Sequence, residues 1–174
     1  MPHDRYDDYA IRRILTDVRS IAVVGASANT NRPSYFVVKY LIAKGYTVSP
    51  VNPGLGRQQI LGRPVFSRLA DIDRPIDMVD IFRSSEAALE VTREAIALKD
   101  QLGIKVVWMQ LSVSNDQAAA EAEDAGLEVI MNRCPKIEYG RLSGEIGWAG
   151  VAAGTISSKR PVLGRGVQNQ KITP

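Results

Sequence analysis

The sequence predicts an α/β domain built on a mostly parallel, five-stranded sheet that is doubly wound by helices. Two observations point to it. Five short apolar runs, at 21–25, 46–51, 77–82, 104–110 and 127–131, alternate with stretches of helical periodicity, and parallel strands need such crossovers. The runs end in loops of small, polar, glycine or proline residues, and in sheets of this kind the ligand crevice lies beyond the carboxyl ends of the strands.

The elements follow in order. Ile11, Ile14, Leu15 and Val18 recur at helical spacing, so a helix precedes the first strand, IAVVG. Residues 34–44 read as the next helix, with Pro33 near its start and Gly45 at its end. YTVSPV forms the second strand, stopped by Pro53 and Gly54. Residues 52–65 are rich in glycine and proline and read as a structured loop, followed by a helical turn around SRLADI. DMVDIF is the third strand, and a long helix capped by Ser84 or Ser85 follows it. IKVVWMQ is the fourth strand, a helix capped by Ser114 comes next, and LEVIM is the fifth strand. Right-handed crossovers then predict a Rossmann-like sheet of order 3-2-1-4-5, with the switch point beside strand 1.

Composition bounds the function. A chain of 174 residues suffices for one domain, and its 45% hydrophobic and 24% charged residues are those of an ordinary globular protein. No apolar run approaches the ~20 residues of a membrane span, and MPHDRYDDYAIRR is too polar for a secretory signal. A cytoplasmic protein is expected, in keeping with a single cysteine, Cys134. The net charge of +3 resides in the tail: Lys159, Arg160, Arg165 and Lys171 follow Gly150, leaving 18 basic against 19 acidic residues before it. With no basic face interleaved with aromatics, nucleic acid is not the expected partner.

The first loop, GASANTNRPSY, carries the most chemistry. Gly25 permits a tight exit from the strand, Ser27 offers a hydroxyl and an N–H, and Arg32 adds a forked cation. The helix beginning near Ser34 aims free N–H groups and its positive dipole end at the same place, which suits phosphate. NAD is disfavoured. The G-x-G-x-x-G fingerprint is not met, and strand 2 ends in Val51, Asn52 and Pro53 in place of an acid for the ribose. NADP is less excluded, because Arg57 or Arg63 could meet its extra phosphate.

VVGAS, RPSYFVVKYL, GYTVSPVNPG, LGRPVF, IFRS, VVWMQ and NRCPKIEYGRL occur in that order. With these motifs the chain resembles the small bacterial CoA-binding proteins, which are similar to the N-terminal CoA-binding domain of succinyl-CoA synthetase alpha subunits. The resemblance covers about residues 8 to 142. It implies a CoA-binding domain, assigned to residues 1–143, with a 3′-phospho-ADP group across the strand ends and the pantetheine arm leaving toward the surface. Carried onto this chain, Gly25, Ala26, Ser27, Arg32 and Ser34 would hold the phosphates. Val51, Asn52 and Pro53 would shape the loop over the nucleotide, Phe82 and Arg83 would flank the adenine, and Met109 and Gln110 would close the far wall. The lysine that commonly follows the proline-glycine pair in synthetase-type sequences is Leu55 here, leaving the cation to Arg57 or Arg63. Phe82 also reads as a core residue, and Arg83 as a surface charge.

No catalytic constellation is identified. His3, the single histidine, falls in a terminus expected to fray, and one cysteine and one histidine far apart give no metal-ligand spacing. Cys134 is either a small buried apolar residue or a thiol near the pantetheine end, its pKa lowered by Arg133 and Lys136, able to form a mixed disulfide with CoA. Residues 144–174 read as an extended basic tail whose Trp148 and Ile156 could pack on the body or in a homodimer. The expected function is non-catalytic binding of CoA or an acyl-CoA. An NADP-dependent oxidoreductase-type domain and a regulatory subunit controlled by CoA are the alternatives.

Overall fold

A computed structural model describes residue 3, residues 5–145 and residue 172 of the chain. Helix α1 (Asp8–Asp17) starts where the Asp7 side chain accepts the Tyr9 N–H at 3.1 Å, and it buries Ile11, Ile14 and Leu15. Strand β1 (Ser20–Val24) is buried throughout, as a central parallel strand must be. Helix α2 (Pro33–Ala43) and strand β2 (Thr47–Val51) follow at the predicted positions.

The loop after β2 holds more structure than its composition suggests. A short 3-10 turn (Pro53–Leu55) leads into a small antiparallel hairpin, β3 (Gln59–Ile60) with β4 (Arg63–Pro64), and a second 3-10 turn (Leu69–Asp71) stands where SRLADI was expected to coil. Then come β5 (Met78–Ile81), α3 (Ser85–Leu102), β6 (Val106–Met109), α4 (Asp116–Asp124), β7 (Glu128–Ile130) and α5 (Pro135–Leu142).

The sheet is parallel, but its order is β2-β1-β5-β6-β7. In the numbering of the five predicted strands this is 2-1-3-4-5, so the expected order 3-2-1-4-5 is corrected. The third strand pairs with β1, from Ile21 opposite Met78 to Val24 opposite Ile81, and not with β2. The reason lies at the outer edge of β2. Phe66 of the long loop occupies it, donating its N–H to the Pro50 carbonyl and accepting from Asn52 N–H, both at 2.9 Å. Pro50 has no N–H to offer a neighbour on that side, and proline within a strand belongs at an edge. The switch point therefore falls between β1 and β5.

Two cores cover the faces. One gathers Val24, Val51, Val79, Ile81, Val107 and Met109 beneath α3 and α4; the other gathers Ile21, Val23, Met78, Trp108 and Ile130 beneath α1, α2 and α5. Each fully buried side chain of this size contributes roughly 1.5–3 kcal/mol. The cap of α3 is Ser84, and that of α4 is Asn115 in place of Ser114. Asn115 accepts from Ala118 N–H at 2.9 Å and donates to the Ser85 carbonyl at 2.9 Å, so one side chain both starts α4 and ties it to α3.

Helix α5 was not expected, because it is short, mostly polar and contains Gly140. Near the N-terminus, His3 Nδ1 lies 2.9 Å from the Tyr6 hydroxyl, which accepts the Met131 N–H at 2.7 Å beside the end of β7; residues 1, 2 and 4 lie outside the described residues. Beyond α5, Glu145 is buried against Tyr40 and Lys44, and Ile172 donates its N–H to the Tyr139 hydroxyl at 3.2 Å. Trp148, Ile156 and the basic residues of the tail lie outside the described residues.

Candidate ligand-binding site

The site is built from the ends of β1, β2 and β5. Gly25 has a φ of +90°, and a Cβ placed on it would sit 2.2 Å from the Phe82 carbonyl oxygen, so only glycine lets the two strand ends close up at the switch point. Its N–H donates to the Val51 carbonyl at 2.9 Å, and Ala26 N–H reaches the same oxygen at 3.3 Å. Asn52 completes the lock. Its Nδ2 donates to the Ala26 carbonyl at 2.8 Å while its Oδ1 accepts from Gly54 N–H at 2.9 Å. The two loops are thereby held in fixed register before any ligand arrives.

Above this floor, Ser27 Oγ accepts from Asn29 N–H at 3.1 Å and Asn29 Oδ1 from Asn31 N–H at 2.9 Å, which coils the loop toward Arg32. Arg32 is the N-cap residue of α2 and makes no side-chain cap, Pro33 occupies the first turn, and Ser34 is buried beside it. The positive end of α2 is left uncapped by any side chain. Across the crevice, Phe82 is half-buried, and the stem of Arg83 passes over Gly25, its Cδ 3.1 Å from where a Cβ would be.

The distribution of charge is the decisive feature. Arg32, Arg57, Arg63 and Arg83 are exposed and have no acidic partner among the described residues. Arg13, Arg68, Arg74, Arg93, Arg133 and Arg141, by contrast, all pair with Asp or Glu. The sequence carries the cause: residues 18–70 contain no Asp or Glu but seven Lys or Arg. That signal is missed when charge is summed over residues 1–150, because the acidic α3 and α4 segments cancel it.

Other expected site residues are placed by the structure as support. Val51 is buried, its carbonyl engaged by Gly25 and Ala26. Pro53 is exposed and opens the 3-10 turn of the loop. The Met109 side chain is fully buried in the core beneath α3 and α4. Gln110 is buried too, its Nε2 donating to both carboxyl oxygens of Asp80 at 2.9 and 3.1 Å. Cys134 is buried at the N-cap of α5, and burial, aided by the charge of Asp80, pushes its thiol up to about 11. The expected lowering does not occur. Lys136 and the main-chain N–H groups of Lys136 and Ile137 do pull it down, but burial outweighs them, and Arg133 is taken up by Glu138 and the Tyr6 ring.

Asp80 was not expected as a site residue. It is fully buried one strand from β1, opposite Val23 and Trp108, and burial pushes its carboxyl up to about 8 against the pull of Gln110. Its signal was an acid inside an otherwise apolar run, DMVDIF. Among the described residues no group of three or more His, Cys, Asp or Glu could hold a metal ion, and no helix is long and apolar enough to cross a membrane.

The sequence pattern of the CoA binding domain family matches residues 19–140. The chain belongs to that family. It is 36% identical over 129 residues to YneT of Bacillus subtilis (strain 168), covering 74% of this chain and 91% of that one. It is 34% identical over 97 residues, 53% of this chain, to the alpha subunit of ADP-forming acetate–CoA ligase I of Pyrococcus furiosus, and spans only 20% of that subunit. A solved protein from Pyrococcus horikoshii OT3 superposes with a TM-score of 0.74 at 39% identity, covering 82% of this chain and 96% of that one. The family's Rossmann-like α/β fold and its sheet are those described above.

Proposed function

We propose that this protein binds CoA or an acyl-CoA in the crevice at the carboxyl ends of β1, β2 and β5, without catalysing its conversion. Arg83 over Gly25 and Arg32 at the uncapped start of α2, both without an acidic partner among the described residues, carry this reading, with Arg57 and Arg63 in the loop after β2. CoA is a polyanionic nucleotide, and forked guanidinium donors with main-chain amides are the groups that satisfy phosphate. Gly25, Ala26, Ser27, Arg32 and Ser34 take the phosphates, Asn52 and Pro53 carry the loop over the nucleotide, and Phe82 and Arg83 flank the adenine. Val51, Met109, Gln110 and Cys134 are buried and act through packing and hydrogen bonds. The cysteine enters as a packing residue, because a thiol held near 11 is almost wholly protonated at neutral pH and a poor partner for disulfide exchange.

Side-by-side calorimetric titration of CoA, acetyl-CoA, dephospho-CoA, NADP and ATP is the test. CoA and acetyl-CoA bind most tightly, with dephospho-CoA weaker by the loss of one phosphate. Tighter binding of NADP than of CoA overturns the reading in favour of an oxidoreductase-type domain. The likeness to a ligase alpha subunit supports a second reading, in which the bound CoA is presented to or controls a partner protein; it is distinguished by a CoA-dependent change in co-purifying protein.

A further inference from the structure

Asp80 is the one acid placed at the carboxyl ends of the central strands whose side chain meets no cation among the described residues. It lies opposite Val23, two residues before Gly25, which puts it about 7 Å along the strand below the phosphate loop. Its side chain is fully buried, and among the described residues Gln110 is its one hydrogen-bond partner. An amide is a fitting partner for a carboxylic acid and a meagre one for a carboxylate. Gln110 Nε2 is shared between the two carboxyl oxygens, at 2.9 and 3.1 Å, so the ionised form has one neutral donor and no cation to offset its burial.

Among the described residues no cation pairs with Asp80: Arg83 is exposed over Gly25, Arg133 meets Glu138 and the Tyr6 ring, and on α1 Arg12 reaches the Leu142 carbonyl and Arg13 pairs with Glu128. From β1 the neighbour is Val23, from β6 Trp108 and Gln110, and from α5 Cys134. The charged groups of α5 are turned elsewhere: Lys136 lies over Tyr40, while Glu138 and Arg141 pair with each other, and Arg141 also holds Asp8. On α2, Lys39 is exposed and Lys44 pairs with Glu145 at the far end of the helix.

We propose that Asp80 is a proton-linked positioning residue of this site: uncharged, it pairs with Gln110, holds the ends of β5 and β6 together and leaves the floor neutral, and its ionisation weakens binding of the anionic ligand. The raised carboxyl, at about 8, puts that change within an accessible range. This inference rests on the CoA reading of the site. By linkage, a ligand that favours the protonated form takes up a proton when it binds above neutral pH.

CoA affinity measured calorimetrically from pH 7 to pH 9, in two buffers of unlike ionisation heat, tests it on the full chain. The wild-type protein is expected to lose about tenfold in affinity over this range and to take up a fraction of a proton on binding. Asp80→Asn, which keeps the shape and the hydrogen-bonding capacity of the neutral acid, is expected to lose most of that slope and of the proton uptake, whatever its affinity at pH 7. Gln110→Leu removes the amide donor and is expected to move the pH dependence along the axis without abolishing it. A slope unchanged in Asp80→Asn, or wild-type binding that is flat with pH, overturns the inference while leaving CoA binding intact. Failure of CoA to bind at any pH overturns the CoA reading itself.

Discussion

Two aspartates three residues apart, Asp77 just before β5 and Asp80 within it, meet opposite fates. Burial pushes the Asp77 carboxyl up, but N–H groups of Arg19 and Ser20, the Ser20 hydroxyl and the Lys105 ammonium outweigh it, and the group is held below its ordinary value. Asp80 has only Gln110 and is pushed up to about 8. The contrast extends to the two ends of the sheet. At the amino ends most charges are matched, Asp77 with Lys105, Arg13 with Glu128 and Lys44 with Glu145, Arg19 being the exposed exception among the described residues. At the carboxyl ends Arg32, Arg57, Arg63 and Arg83 stand unmatched. On the reading proposed above, the unmatched charge at the carboxyl ends is what the ligand's phosphates would meet.

The largest expected effect comes from forcing the carboxyl end apart. Gly25→Val places a branched side chain at a φ of +90° and against the Phe82 carbonyl, and the combined strain and overpacking cost about 3–5 kcal/mol. Thermal unfolding should show the loss of stability, and calorimetry of whatever folds should show no CoA binding. Wild-type affinity in this variant would mean that the β1–β5 approach does not shape the site.

The aspartates themselves give opposite signs. Asp77→Ala removes an acceptor of several hydrogen bonds and is expected to cost about 1–3 kcal/mol at pH 7. Because the folded carboxyl is depressed, that stability is present above its ordinary 3.8 and is lost as pH falls through the lower folded value. Asp80→Asn is expected to stabilise. A raised carboxyl contributes stability in full below 3.8 and loses it as pH rises toward about 8, so the gain from asparagine is absent at pH 4 and grows through neutrality. Urea unfolding at pH 4, 6 and 8 checks both. A destabilised Asp80→Asn at pH 8 would show that the carboxylate has a countercharge after all.

A pair of arginines separates the roles of the two kinds of charge. Arg32→Ala should weaken CoA binding about tenfold or more, as loss of a charge-assisted phosphate contact does, with little change in melting temperature, because its side chain caps nothing. Arg141→Ala should do the reverse. It leaves buried Glu138 with one partner fewer, at about 1 kcal/mol, and leaves affinity unaltered.

Much of this was legible from the residues. The five strands and four of the helices follow from periodicity, and Gly25 from its place at a strand end. The strand order was also within reach: Pro50 marks β2 as an edge strand, which the order 3-2-1 forbids, but proline was weighed only as a strand terminator. Helix α5 lacks an amphipathic signature, since it buries Pro135, Glu138, Tyr139 and Gly140, and only tertiary packing reveals it. Met109 and Gln110 stand at a strand end, yet whether such a side chain faces the crevice or the core depends on pleat phase and neighbours, which loop position alone does not fix.

The smallest expected effect is the most diagnostic of function at the carboxyl end. Arg57 is exposed, has no acidic partner among the described residues, and holds a φ of 70°, a conformation that an L side chain adopts at a cost of about 1–2 kcal/mol. Glycine there would relieve the strain but enlarge the freedom of the unfolded chain, so Arg57→Gly should gain at most about 1 kcal/mol of stability. If the guanidinium reaches a phosphate, the same variant should lose several-fold in CoA affinity and less in dephospho-CoA affinity, so stability and binding move in opposite directions. Affinities for both ligands that match the wild type would return Arg57 to the class of solvated surface charges and leave Arg63 as the cation of this loop.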